Sequence, residues 1–141
     1  MANGKKFKPG KAYKDSKLCN MITVQEMAKR FPREKLICNS LYPGCVANTK
    51  LFRDTPWIFR KLFPIFQRFI TRGYVSERLA GERVALIATG KEFSQSGVHW
   101  SWGNRQKSGR QAFSQNLSDR IIDPYTSKRL WELSKSLVGL N

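Results

Sequence analysis

The chain has 141 residues, and 40% of them are hydrophobic, which is enough to supply the core of one ordinary domain. It has 26 lysines and arginines against 10 acidic residues, a formal net charge of +16. Such an excess of positive charge favours an anionic partner, such as nucleic acid, an acidic membrane or a phosphorylated ligand. The alternative is that the chain is only part of a protein whose missing part would balance the charge. Neither an apolar run that could cross a bilayer nor an apolar stretch after the N-terminal lysines is found, so we expect a cytoplasmic or membrane-surface protein.

The chain has three cysteines, Cys19, Cys38 and Cys45, and their odd number without paired spacing argues against a disulfide framework. The single histidine, His99, is far from them in sequence. Because zinc sites need several Cys or His ligands at short spacings, we expect no metal site. Cys19 and Cys38 are expected to be small buried hydrophobic side chains, which is a common fate of free cysteine.

The first part of the chain has a helical pattern followed by a strand-like one. Apolar residues at helical spacing predict a helix over residues 11–31, which Pro32 ends. Residues 36–42 are predicted to form a short buried strand, and Pro43 and Gly44 follow as a turn. A helix, a strand and a Pro-Gly turn in this order are typical of an α/β fold.

A second helical region is predicted over residues 55–72, and Pro64 is expected to kink or split it. Its apolar stripe consists of Phe59, Leu62, Phe63, Phe66 and Ile70, and its charges are basic. The pattern alone favours an ordinary pair of core helices. A basic amphipathic element that lies on a membrane surface is the alternative.

The remaining elements are predicted from caps and periodicity. Ser76 is expected to cap a helix over residues 76–89, and residues 96–102 alternate as a strand does. Residues 103–111 are predicted to form a basic loop. A last helix is expected to start at Asp123-Pro124 and to stop at Gly139.

This inventory of two strands and about four helices is incomplete for a doubly wound sheet, which has more strands and a glycine-rich phosphate loop after the first one. The chain has neither G-x-G-x-x-G nor G-x-x-x-x-G-K-[ST]. Either the fold is of another class, or its first strands are absent.

Tyr13 and Lys17 are four residues apart on the first predicted helix, so they share one face. A neighbouring ammonium stabilises a phenolate, and a tyrosine so placed can donate or accept a proton while the lysine binds ribose hydroxyls. The spacing alone is weak evidence, because it also occurs by chance on solvated faces of lysine-rich helices.

The segment from Tyr42 to Thr49 follows the predicted strand, whose carboxyl end would lie near a ligand crevice in an α/β sheet. Together with Tyr13 and Lys17 it resembles the short-chain dehydrogenase/reductase superfamily, which has Y-x-x-x-K, a strand, and then P-G with a threonine a few residues on. Pro43 follows Lys17 by 26 positions, a separation of the right order.

Five sequence blocks, two of which contain the residues above, narrow the resemblance to the light-dependent protochlorophyllide oxidoreductases in their cyanobacterial form. They are KAYKDSKLCNM, SLYPGCVA, LFPIFQRFITRGYVSE, SGVHWSWGNRQK and LWELSKSLVGL. Several of these blocks are peculiar to that family within its superfamily, and the likeness covers residues 1–141. The resemblance implies the C-terminal part of a doubly wound, Rossmann-like α/β fold, with its last two strands, helices and a pigment-site insertion.

The resemblance also implies roles for individual residues. Tyr13 would bond the pigment and give a proton to C18, and Lys17 would hold the nicotinamide ribose of NADPH and tune Tyr13. Cys45 would lie near the pigment and affect its photochemistry, and the alternative is that it is only a small buried side chain. Tyr42 would line the same pocket, or it would pack as a strand residue. Light would excite protochlorophyllide, hydride would reach C17, and the proton would follow at C18. Cofactor contacts would come from Tyr13, Lys17, Pro43, Gly44, Asn48 and Thr49.

The chain departs from the family's pattern in two ways. The family has Thr-Thr-Gly where this chain has Asn48-Thr49-Lys50, so the cofactor contact of Asn48 is in doubt, although its amide can still form hydrogen bonds. The glycine-loop half is absent, and Met1 falls on an internal methionine of the family. We therefore expect residues 1–141 to be the catalytic half of one NADP-binding domain, inactive alone, with residues 50–74 as a helical insertion near the pigment.

Two other classes of function stay open at this point. A small basic nucleic-acid-binding protein would have this charge, but it explains none of the quoted blocks, and no RNP, KH or zinc-finger pattern occurs, so we expect no nucleic-acid partner. A membrane-surface adaptor would use residues 55–72. Peripheral association with photosynthetic membranes and a homo-oligomeric state also stay open.

Overall fold

A computed structural model describes residues 7–46, 56–70, 73–103 and 108–140. Within these ranges the chain forms five α-helices, three strands and one short 3-10 helix. In chain order they are α1 (Pro9–Arg30), β1 (Ser40–Tyr42), α2 (Trp57–Phe69), α3 (Glu77–Thr89), the 3-10 helix (Lys91–Phe93), β2 (His99–Gly103), β3 (Ser108–Ser114), α4 (Asp119–Ile122) and α5 (Pro124–Leu137). The predicted α/β class is confirmed at this level.

The strands form a small mixed sheet in the order β1-β2-β3, in which β2 and β3 are antiparallel. The register places Trp100 opposite Ser114 and Gly103 opposite Ser108, with an irregularity between Ser101 and Gly103. The side chain of Ser101 contributes to this irregularity, because its hydroxyl donates to the Gly103 carbonyl over 2.7 Å. This bond turns the end of β2 locally.

The structure corrects two strand predictions. The strand predicted over 36–42 is only three residues long, because Leu36 and Ile37 are exposed and lie outside the ladder. The predicted basic loop 103–111 overlaps a strand, since β3 begins at Ser108. β3 was missed because its polar sequence lacks apolar alternation, and its pairing with β2 makes it a strand.

The chain divides into two compact units. The first comprises Met1–Ser40, Ser94–His99 and Gln115–Asn141, and the second comprises Leu41–Phe93 and Trp100–Ser114. None of the helices in the described ranges has the length and apolar character that a membrane span requires.

In the first unit α1 packs against α4 and α5. Pro9 suits the first turn of α1, and the helix ends at Arg30, just before Phe31 and Pro32, close to the predicted boundary. α5 begins as predicted, because the Asp123 carboxylate accepts hydrogen bonds from the backbone amides of Tyr125 and Thr126. Gly139 follows the helix with φ +72°, which a glycine adopts without strain.

In the second unit α3 begins as predicted, with the Ser76 hydroxyl accepting from the backbone amide of Leu79 over 3.1 Å, and Gly90 ends it. α2 continues unbroken through Pro64, so the predicted region is not split. A proline removes one helical hydrogen bond, and the flanking turns carry the helix across it. Most of the apolar side chains of α2 are exposed within the described part of the chain.

Candidate functional site

Tyr13 and Lys17 lie on α1 of the first unit, as the sequence predicted. The Lys17 ammonium is 5.4 Å from the centroid of the Tyr13 ring, which is within the range of a cation–π contact. Both side chains are exposed, and the Tyr13 side chain has 47% of its surface open to solvent. The helix therefore brings the phenol and the ammonium together on one accessible face.

The same face suits a ligand with hydroxyl or carbonyl groups. Within the described residues neither the Tyr13 hydroxyl nor the Lys17 ammonium has a hydrogen-bond partner, while the backbone carbonyl of Tyr13 accepts from Ser16 over 2.8 Å. A phenol can donate one proton, and an ammonium can donate three hydrogen bonds to ribose or phenolate oxygen. Both groups are therefore available to an oxygen-bearing ligand.

Tyr42 ends β1, and Pro43, Gly44 and Cys45 form the turn that follows it in the second unit. Gly44 has φ +118°, a conformation that residues with side chains rarely adopt. A Cβ atom at this position would also lie 2.7 Å from Cγ1 of Val75. The glycine is thus required both by the backbone conformation and by the close approach of Val75.

Cys45 is held by its backbone. Its amide donates to the Gly73 carbonyl over 2.7 Å, and its carbonyl accepts from the Val75 amide over 3.0 Å. These bonds form an isolated parallel bridge between Cys45 and Tyr74. Cys45 is half-buried, and this burial raises the pKa of its thiol. The group is therefore a neutral thiol at physiological pH, which can carry a proton but is not an activated nucleophile.

Arg83, on α3, is a residue of this site that the sequence reasoning missed. Its guanidinium donates a hydrogen bond to the Pro43 carbonyl and lies 5.0 Å from the centroid of the Trp102 ring. Burial lowers the pKa of the guanidinium from its usual value. The only signal in the sequence was one arginine among many basic residues, which could not indicate a contact 40 positions away.

The predicted site residues therefore fall into two groups. Tyr13 and Lys17 are brought together in the first unit, and Tyr42, Pro43, Gly44 and Cys45 are brought together in the second. Tyr42 is exposed, so its side chain is not packed as an interior strand residue. Asn48 and Thr49 lie outside the described residues, and the functional roles of all these residues stay predictions.

α2 lies within residues 50–74, which were predicted to form a helical insertion near the pigment. Phe59 and Phe63 stack with their ring centroids 4.8 Å apart, and the Lys61 ammonium lies 5.2 Å from the Trp57 ring. Phe59 and Phe66 are exposed, and Phe63 is half-buried. The described part of α2 therefore presents apolar rings beside basic groups.

In the described ranges no cluster of three or more His, Cys, Asp or Glu side chains is arranged to hold a metal ion. The buried His99 instead forms a hydrogen bond of 2.9 Å between its Nδ1 atom and the Ser40 hydroxyl. Burial lowers the pKa of His99. His99 therefore belongs to the structure of the first unit.

No protein-family model matches the chain, but individual proteins similar to it are found. Protochlorophyllide reductase B, chloroplastic, of Oryza sativa subsp. japonica is 49% identical over 99% of this chain and 34% of the rice protein. Protochlorophyllide reductase, chloroplastic, of Marchantia paleacea is 50% identical over 99% of this chain and 30% of its own length. Protochlorophyllide reductase A, chloroplastic, of Arabidopsis thaliana is 48% identical over 99% of this chain and 34% of its own length.

The chain thus spans about a third of the length of these relatives. The resemblance of the quoted sequence blocks to protochlorophyllide reductases is confirmed over 99% of the chain, and the cyanobacterial form stays a prediction because these relatives are plant proteins. Over 99% of its length the chain is homologous to one segment of the protochlorophyllide reductases.

Proposed function

We propose that the chain supplies the proton-transfer side of a light-dependent protochlorophyllide reductase, which reduces the C17=C18 double bond of protochlorophyllide with NADPH. The observation that carries the proposal is the similarity to protochlorophyllide reductases at 47–50% identity along the chain. It is supported by the geometry of Tyr13 and Lys17, which lie close together on one accessible helix face.

When bound, NADPH would supply the hydride that is added at C17 after excitation of the pigment by light. Tyr13 donates the proton that ends on C18, which restores the balance of one hydride and one proton added across the double bond. Lys17 binds the nicotinamide ribose with its ammonium and stabilises the phenolate that Tyr13 leaves after the transfer. The accessible position of both groups on α1 supports these roles.

The turn after β1 is proposed to have functional roles of its own. Cys45 and Tyr42 lie beside the pigment, where the neutral thiol of Cys45 affects the photochemistry and is a second candidate proton source. Pro43, Gly44, Asn48 and Thr49 contact the cofactor. The close packing of Gly44 against Val75 supports a turn of fixed shape.

Residues 50–74 are proposed as a helical insertion that helps to enclose the pigment. The exposed aromatic rings of α2 provide apolar surface suited to a porphyrin-like ring. We also propose that residues 1–141 belong to one Rossmann-like NADP-binding domain. β1 is an outer strand of the described sheet, where the strands of a larger sheet would continue.

We further propose the cyanobacterial form of the enzyme, located in the cytoplasm or peripherally on photosynthetic membranes. The proposal rests on the quoted sequence blocks. The named relatives are chloroplastic proteins. Fractionation of the source cells into membrane and soluble material, with detection of the protein in each, tests the location.

The deciding experiment uses a full-length reductase that contains this segment, with NADPH and protochlorophyllide. Illumination should convert the pigment to chlorophyllide, with the characteristic shift of its red absorption band, and darkness should give no conversion. Equal conversion in light and dark would contradict the light-driven mechanism, and no conversion in either would contradict the proposed activity. The 141-residue chain assayed alone should give no turnover, because it spans only about a third of its relatives.

A further inference from the structure

We propose that Arg83 is a positioning residue that fixes the Pro43-Gly44-Cys45 turn and thereby the position of the Cys45 thiol. The inference rests on the proposed function only in so far as it assigns Cys45 to the pigment site. All the residues involved lie in the second unit, so the geometry is complete within that unit.

Arg83 connects the turn to two rigid parts of this unit. It belongs to α3, whose first turn is capped by Ser76, so the base of its side chain is fixed. Its guanidinium donates to the Pro43 carbonyl and lies over the ring of Trp102, which is only 4% exposed. An arginine stacked on a buried indole keeps its planar fork in one orientation.

The turn is also held by backbone bonds at Cys45. The amide and carbonyl of Cys45 pair with Gly73 and Val75 over 2.7 and 3.0 Å. Between these bonds and the Arg83 contact lies Gly44, where an added Cβ would be 2.7 Å from Val75 and 3.3 Å from Nη1 of Arg83. The turn is therefore held at Pro43 by Arg83 and at Cys45 by its backbone bonds, and loss of the Arg83 bond would release the first of these attachments.

Arg83 acts through the Pro43 carbonyl and not through its charge on the thiol. Burial is the cause that raises the pKa of Cys45, and a guanidinium acting directly on the thiol would lower that pKa. The desolvated guanidinium is compensated by the carbonyl and by the face of the indole. The hydrogen bond and the cation–π contact therefore stabilise the half-buried guanidinium in this position.

The test compares Arg83→Met and Arg83→Lys in a full-length reductase that contains this segment, free of pigment and cofactor. Methionine keeps most of the side-chain volume and removes the hydrogen bond, whereas lysine keeps one donor and the charge. Arg78→Met is the matched control, because Arg78 is on the same helix with 89% of its side chain exposed. The probe is iodoacetamide, and the alkylated Cys45 peptide is quantified by mass spectrometry across about pH 7 to 10.

Arg83→Met should raise the alkylation rate of Cys45 about tenfold near pH 8, because a released thiol gains water and its pKa falls toward the ordinary value. Arg83→Lys should restore most of the protection, and Arg78→Met should not change the rate. Under illumination Arg83→Met should both lower kcat and raise KM for NADPH, because Cys45 and the proposed cofactor contacts Pro43 and Gly44 belong to the same turn.

An unchanged alkylation rate in Arg83→Met, or an equal increase in Arg78→Met, would overturn the proposal. If Arg83→Met does not fold, Trp102→Phe provides the second variant, because the smaller ring weakens the cation–π contact and should give a smaller increase. An unchanged rate in Trp102→Phe would likewise overturn it. Because alkylation needs no turnover, a wild-type enzyme without light-driven activity would contradict the proposed function and leave this test intact.

Discussion

The hydroxyl of Ser127 donates a hydrogen bond of 2.9 Å to the carboxylate of Glu26, and this bond joins α5 to α1 inside the first unit. Ser127 is fully buried and Glu26 is 7% exposed. The second carboxylate oxygen accepts from Nε of Arg30 over 2.8 Å, and Lys29 donates to the Ser127 hydroxyl over 3.3 Å. A buried carboxylate with these partners stabilises the packing of the two helices only while it is ionised.

Glu26→Gln in a full-length reductase should therefore lower the free energy of unfolding by about 1–3 kcal/mol at neutral pH. Burial alone would raise the pKa of Glu26, but the hydrogen bonds from Ser127 and Arg30 outweigh it and lower the pKa. The contribution is thus present above the ordinary glutamate pKa and is lost as the pH falls through the lowered one. Urea unfolding at about pH 7 and at about pH 4 measures both effects.

The control for this prediction is Glu82→Gln, since Glu82 pairs with Arg78 on the exposed face of α3 over 2.8 Å. An exposed pair of this kind contributes about 0–0.5 kcal/mol, so the control should unfold as the wild type does. Equal losses in the two variants would contradict the argument, because burial would then make no difference.

His99 should give a separate loss of stability in mildly acidic solution. It is 8% exposed, and burial holds its pKa below the ordinary value of 6.5. The unfolded chain therefore binds a proton at a higher pH than the folded one, so stability is full above about pH 6.5 and falls as the pH drops through the lowered pKa. His99→Gln should reduce this fall between about pH 7 and pH 5, measured by urea unfolding. An identical fall in the variant would contradict the prediction.

The fold could be predicted from the sequence where local chemistry decides it. Ser76 and Asp123 are helix caps whose side chains bond the first turn, and Pro32 excludes a further turn of α1, so these boundaries were found within two residues. β3 could not be predicted, because its mostly polar sequence has no alternation of apolar and polar residues. Only the pairing with β2 makes this segment a strand.

The candidate site shows the same difference between contacts that local sequence decides and contacts that tertiary packing decides. Tyr13 and Lys17 are one helical turn apart, so their proximity follows from spacing alone. Arg83 contacts Pro43, which is 40 positions away in the chain, and Trp102, which is on β2. Both contacts depend on tertiary packing. Periodicity contains no information about them, which explains why the arginine was missed.

Gly44→Ala should destabilise the second unit because the position forbids a side chain on two grounds. Its φ of +118° is unfavourable for alanine, and the new Cβ would be 2.7 Å from a methyl group of the buried Val75. We expect a loss of about 1–3 kcal/mol, measured as a lower urea midpoint of the full-length protein. Gly81→Ala is the matched control, because Gly81 is inside α3 with no atom within 4 Å of its added Cβ. That variant should gain about 0.5–1 kcal/mol, and a loss in both would contradict the argument.

Tyr13→Phe in the full-length reductase should separate proton transfer from pigment binding. The change removes the hydroxyl and leaves the ring that the Lys17 ammonium faces at 5.4 Å, so the helix and the cation–π contact are retained. Loss of a positioned proton donor should slow formation of chlorophyllide about 10²- to 10⁴-fold after a light pulse, while the absorption of the bound pigment changes little. Tyr125→Phe is the control, since Tyr125 is an exposed tyrosine at the start of α5. A normal rate in Tyr13→Phe would remove Tyr13 from the donor role and leave the Cys45 thiol as the remaining candidate on this chain.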